Sequence, residues 1–190
     1  MLSNYYLLNR NINENDIWVK SYKVPEAYDW NYSDGISIKN TNTSGELFYQ
    51  NNKSLKTDYV AGIQSFPVVS KKFKELLENL NDPLEFHHVK LVQVISELVD
   101  NDYYFLNILE NIECFDWDNS EYEKLPVSQA PTDVEKLVLE THKIGKRNII
   151  RIAELQSLIL VSDNLRNLIE SCELTGIEFQ NIENYQEFEL

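Results

Sequence analysis

The clearest hydrophobic periodicity occurs at two places far apart in the chain. Ser70 precedes Phe73, Leu76, Leu77 and Leu80, an i, i+3, i+4, i+7 spacing that lines up the apolar side chains on one helical face behind a capping serine. Asn81-Asp82-Pro83 then stops the helix. Ser162 precedes Leu165, Leu168, Ile169 and Cys172 in the same way, with Asp163 in the first turn where the helix dipole favours a carboxylate. The spacing makes Cys172 a small core residue. Each helix follows an apolar β-like run, Phe66-Pro67-Val68-Val69 in one case and Leu158-Ile159-Leu160-Val161 in the other.

Aligned at an offset of 92 residues, Val69, Ser70, Phe73, Leu76, Leu77 and Glu78 fall on Val161, Ser162, Leu165, Leu168, Ile169 and Glu170. After one insertion, Leu84-Glu85-Phe86 falls on Ile177-Glu178-Phe179. This pattern predicts a duplicated strand-helix-strand unit whose repeated faces bury one another. Elsewhere, residues 4–9 read as a short apolar strand. Val89–Val99 and Tyr103–Leu109 read as a hairpin turning at Asp100-Asn101-Asp102, and Val134–Leu139 and Ile149–Ile152 as further strands. Pro126 and Pro131 bracket a loop, and residues 10–58 are polar and loop-rich with scattered aromatics Trp18, Trp30 and Phe48. The expected fold is a single α+β domain over 1–190, loop-rich over 1–58 and regularly patterned over 59–182. Its sheets are mixed or mainly antiparallel, with two capped helices packed on them.

Composition excludes several function classes. The 190 residues are 43% hydrophobic and 25% charged, which is the profile of a folded chain. Seventeen Lys and Arg oppose thirty-one Asp and Glu, a net charge of −14, so the molecule repels nucleic acid and anionic membranes. The excess is lopsided: residues 1–95 carry ten basic against eleven acidic side chains, residues 96–190 seven against twenty. No uncharged apolar run approaches the roughly 20 residues of a membrane span. Met1–Arg10 lacks the basic and apolar regions of a signal peptide. Cytoplasmic residence is expected, and the two cysteines, Cys114 and Cys172, are too few for a disulfide framework or a zinc site.

Catalytic signatures are missing. The five glycines are isolated, so there is no phosphate-binding loop. His87 and His88 adjoin in an expected strand and point to opposite faces, and His142 stands alone. The densest polar stretch, Glu110–Glu123, holds six carboxylates and no Lys or Arg. As a calcium loop begun at Asp116 it fails where geometry is strictest, with Glu121 in place of the turn glycine and Val127 in place of the bidentate Glu. No cofactor and no metal are expected. What the stretch does offer is recognition: rigid aromatic area flanked by carboxylates that steer a basic partner. Asp116, Trp117, Asp118, Glu121, Tyr122 and Glu123 are the candidate interface, with Trp117 and Phe115 as anchors of the loop to the core as the structural alternative.

An ordered series of segments carries a family resemblance: Tyr5-Tyr6-Leu7-Leu8; Val68-Val69-Ser70 into a capped helix; Tyr103-Tyr104-Phe105-Leu106-Asn107; Asp116-Trp117-Asp118-Asn119-Ser120; Ile150-Arg151-Ile152; Leu160-Val161-Ser162; and Leu174-Thr175-Gly176-Ile177-Glu178-Phe179. The series resembles the immunity proteins of bacterial polymorphic toxin systems, in the group named after a myxobacterial representative and earlier known as a domain of unknown function. The resemblance implies a non-catalytic protein that binds a cognate toxin and protects the producing cell; the acidic segment adds the expectation that this toxin has a basic surface. A general cytosolic protein-binding module is the second reading. A metal-assisted hydrolase built on Asp116 and Asp118 is the third.

Overall fold

Local chemistry accounts for both helices. In the computed structural model, which describes residues 4–24, 34–38, 44–50, 55–62, 66–124 and 130–185, α1 (Lys71–Glu78) begins at Ser70, whose Oγ accepts from Phe73 N at 3.2 Å. Helix α2 (Asp163–Ser171) begins at Ser162, whose Oγ accepts from Leu165 N at 3.2 Å. The first buries Phe73 and Leu77, the second Leu165 and Ile169. Each such side chain contributes roughly 1.5–3 kcal/mol, so apolar faces rather than intrinsic propensity hold these short helices. Cys172 departs from expectation and is exposed. It is the C-cap of α2, and the chain leaves through Glu173 at φ 51°, so the helical spacing no longer governs its direction.

Among the described residues there are twelve strands: β1 (Tyr5–Arg10), β2 (Ser21–Lys23), β3 (Gly45–Tyr49), β4 (Val68–Ser70), β5 (Leu84–Gln93), β6 (Val99–Ile108), β7 (Asn111–Ile112), β8 (Glu121–Lys124), β9 (Pro131–Lys136), β10 (Ile149–Ile152), β11 (Ile159–Ser162) and β12 (Ile177–Asn181). They form sheets ordered β12-β1-β11-β10-β7 and β2-β3-β5-β6-β4, with β8-β9 apart. Pairing is antiparallel except for β3 with β5 and β7 with β10. The fold is therefore mixed and mainly antiparallel, as its patterning implied. Trp30, Pro126, Val127 and residues 1–3 lie outside the described residues.

Two local expectations are corrected. The strand expected at Val134–Leu139 starts earlier, at Pro131, and ends at Lys136; Leu139 instead makes an isolated bridge with Phe115. The hairpin turns at Val94–Leu98, while Asp100–Asp102 lie within β6. Cross-strand pairing of Val92 with Val99 and Leu91 with Asp100 overrides the turn propensity of Asp and Asn. The real turn is closed by Gln93 Oε1, which accepts from Ser96 N and Oγ, and by Glu97 at φ 56°.

The duplication is realised in the register of the sheets. Strands β4 and β5 flank β6, and β11 and β12 flank β1, so each unit is a β-α-β split around an inserted central strand. Val69 pairs with Tyr104 and Phe86 with Leu106; at the matching positions Val161 pairs with Tyr6 and Phe179 with Leu8. The inserted strands, Tyr5-Tyr6-Leu7-Leu8-Asn9 and Tyr103-Tyr104-Phe105-Leu106-Asn107, are thus part of the repeat. Cations recur with them. Lys74 Nζ lies 5.1 Å from the Tyr104 ring and 5.5 Å from Phe86, Arg166 lies 4.6 Å from Tyr6 and 6.0 Å from Phe179, and each also pairs with the acid four residues on.

Reciprocal clamps join the two units. Asp58 accepts from Ser70 Oγ at 2.6 Å in its own unit and from Thr175 N and Oγ1 at 2.8 and 2.9 Å in the other. Asn148 accepts from Ser162 Oγ at 3.2 Å and donates through N and Nδ2 to Asp82 at 2.9 and 3.0 Å. Between them a shared core takes Leu8 and Val161 from one sheet, Leu106 and Ile108 from the other, and both helices. The alternation of β1 serves two cores, with Tyr6 and Leu8 on this side and Tyr5 and Leu7 facing Phe115, Ile150 and Leu160 on the other.

Candidate functional site

The acidic aromatic stretch is built on a turn. Asp116 Oδ1 accepts from Asp118 N and Asn119 N, each at 3.1 Å, and Oδ2 from Asn119 Nδ2 at 2.8 Å. The Asn119 amide above all, with the two backbone N–H groups, holds the Asp116 carboxyl below its ordinary range. Ser120 staples the turn to the next segment: its Oγ accepts from Val138 N at 3.0 Å, and Asp116 N donates to Val138 O at 2.9 Å. The Asp116 carboxylate is thus taken up by the turn, while Asp118 is exposed.

The aromatics turn inward. Phe115, Trp117 and Tyr122 make a mutually edge-on cluster with centroids 4.8, 5.2 and 5.4 Å apart, an arrangement that adds to their area burial. Phe115 is buried, and Trp117 and Tyr122 are half-buried against the same core. Lys124 Nζ covers the outer face of Trp117 at 4.3 Å, a cation–π contact. Of the six candidate interface residues, Trp117 and Tyr122 anchor the loop and Asp116 shapes it. Asp118, Glu121 and Glu123 are exposed. Beside Trp117 an open groove of ≈ 650 Å³ is lined by Glu113, Glu154 and Gln156 as well, so the surface here is acidic.

Buried ionisable groups serve the scaffold. Glu85 Oε2 accepts from Ile38 N at 3.0 Å, and Ser37 Oγ donates to Oε1. Burial would raise this carboxyl, but the bonds from Ser37 and Ile38 and the nearby His87 outweigh it and hold it low. Burial likewise lowers His87 more than Glu85, 3.4 Å away, can restore. Burial pushes the Cys114 thiol up to about 12, so it is inert as a nucleophile at neutral pH. Among the described residues no three His, Cys, Asp or Glu side chains are grouped to hold a metal ion, and no helix is long and apolar enough to cross a membrane.

A second surface escaped the sequence reading. The β5–β6 turn exposes Val94, Ile95, Leu98 and Val99 by 47, 67, 68 and 49%, and Leu55 nearby is 62% exposed. The signal is in the sequence, since Val94-Ile95-Ser96-Glu97-Leu98-Val99 is too apolar for a solvated turn, but its apolar pattern is that of a continuous strand.

No curated protein matches the chain. A family model described as immunity protein family (Imm11) does, over residues 9–184. That span takes in both helices with the strands on either side of them, the reciprocal clamps and the acidic turn, so with nearly its whole length accounted for the chain belongs to the Imm11 immunity protein family.

Proposed function

We propose that this immunity protein works by binding a cognate toxin and neutralising it, without chemistry of its own, in the cytoplasm of the cell that makes the toxin. The family match over residues 9–184 carries the reading. The acidic surplus of the C-terminal half and the exposed Asp118, Glu121 and Glu123 favour a toxin with a basic face, because such charges raise the encounter rate with a cation-rich partner.

Co-expression with the toxin encoded beside this gene is the test. Growth should be rescued and the two proteins should co-purify as a stoichiometric complex. Equal killing with and without the immunity protein refutes the reading for that pair. In the complex, Asp118→Asn with Glu121→Gln and Glu123→Gln is expected to slow association and flatten its salt dependence, leaving dissociation nearly unchanged.

A further inference from the structure

Of the ten large hydrophobic side chains exposed among the described residues, Val94, Ile95, Leu98 and Val99 share the β5–β6 turn, and a fifth, Leu55, precedes the Lys56 that pairs with Asp100 on β6. Scattered singly, such residues need no explanation; grouped, they mark a surface that something else covers. From this grouping we infer that the tip of the β5–β6 hairpin is an apolar prong that docks into a recess on the partner protein. The inference rests on the toxin-binding function proposed above and places its apolar contact.

The prong is pre-organised. Gln93 N donates to Leu98 O at 2.9 Å, closing the turn, and the Gln93 side chain holds Ser96 through Oε1 and Gln50 O through Nε2 at 3.2 Å. Val94 N donates to Tyr49 O at 2.9 Å, tying the turn to β3. On the other flank, the ion pair of Lys56 with Asp100 and the bond from Tyr103 Oη to Thr57 O at 3.2 Å keep the Leu55 segment alongside β6. A turn stiffened in this way loses little freedom on binding, which is what lets exposed apolar area convert into affinity.

Charge around the prong identifies the partner's chemistry. Glu97 within the turn and Glu14 next to the Asn15 carbonyl that accepts from Leu55 N are exposed, while Asp102 on β6 shares a surface hollow with Lys71 and Lys72. The nearby Lys56 is occupied by Asp100. An apolar centre inside an acidic rim is the complement of an apolar recess rimmed by Lys and Arg. The occupant is therefore a basic protein surface, and not a membrane, whose anionic headgroups this rim repels.

The experiment titrates the purified, catalytically inactivated toxin domain encoded beside this gene against the full-length wild type and two variants. Ile95→Asp with Leu98→Asp should weaken binding by about 30-fold or more, mostly through faster dissociation, and abolish protection in co-expression. Both side chains are exposed, so the melting temperature should not move; the milder Ile95→Ser with Leu98→Ser serves as a second probe of the tip. Amide exchange over residues 93–99 of the wild type should slow in the complex. Binding of the prong variants within about threefold of wild type, with no added protection at 93–99, overturns the inference. If in that case the Asp118, Glu121 and Glu123 variant alone weakens binding, contact lies at the acidic turn and not at the prong. If the wild type itself does not bind, the proposed function fails and the prong falls with it.

Discussion

Replacing Gly176 by alanine tests how the two units meet. Gly176 sits at φ +76° in the loop between α2 and β12, and a Cβ there would lie 2.5 Å from Tyr59 O and 2.7 Å from Thr57 Cβ. Thr57 and Tyr59 flank Asp58, the residue that clamps Thr175, so neither the loop nor its neighbour can retreat without breaking the clamp. The left-handed backbone costs an alanine about 1–2 kcal/mol, and intruding on fixed backbone roughly another 1–3 kcal/mol. A chain of this length loses about 2–4 °C per kcal/mol, so Gly176→Ala should melt roughly 4–20 °C below wild type. Gly145→Ala is the control. Its φ is +72°, but its Cβ would meet only the flexible Arg147 Nη1 at 3.4 Å, so it should lose only the backbone share, about 2–8 °C. Both carry the same unfolded-state entropy gain, and the difference isolates the close approach. Equal losses measured by circular dichroism would show that the 57–59 segment does not press on Gly176, and the account of the junction would be wrong.

Three further outcomes follow from the structure. Ser70→Ala should destabilise by about 2 kcal/mol and Ser162→Ala by about 1 kcal/mol in urea unfolding, because Ser70 also gives a hydrogen bond to the Asp58 carboxylate whereas Ser162 meets the neutral Asn148 amide; equal losses would refute the asymmetry. Since burial lowers the folded-state pKa of His87 beneath its ordinary value of 6.5, the unfolded chain binds a proton first as pH falls. Stability should drop from pH 7 to about 5.5 and His87→Gln should remove that slope; an unaltered slope would exonerate His87. The depressed Glu85 carboxyl acts lower, its contribution being lost only as pH falls through its folded-state value below the usual carboxylate range. In native protein a thiol reagent should label Cys172 and leave Cys114 untouched, with both reacting in denaturant; rapid labelling of Cys114 would contradict its burial.

Much of the fold was legible because its signals are local. A serine ahead of an i, i+3, i+4, i+7 apolar face fixes where a helix starts and what it buries, and Ser70 and Ser162 behave accordingly. The duplication was visible in the helices and the strands beside them. Its third member was visible too, in the likeness of Tyr5–Asn9 to Tyr103–Asn107, but these strands stand at a different offset from the helices they serve, and only pairing reveals their equivalence. The acidic turn illustrates the opposite case. Residue types leave Trp117 open between recognition and anchoring, and only the packing shows it and Tyr122 edge-on against Phe115, with Lys124 over the Trp117 ring.

What the sequence by itself determined is therefore the short-range and the global: two capped amphipathic helices, a repeated unit, a strongly acidic second half, no recognisable catalytic pattern, and a family. These depend on residues a few positions apart or on totals. Tertiary structure alone decided which strand enters each β-α-β unit, how Asp58 reaches Thr175 across 117 residues, why a side chain at Gly176 would crowd Tyr59 and Thr57, and that an apolar run ends as an exposed turn. Each is set by contacts between segments distant in the chain, and burial, unlike helical spacing, is a property of what the rest of the molecule places nearby.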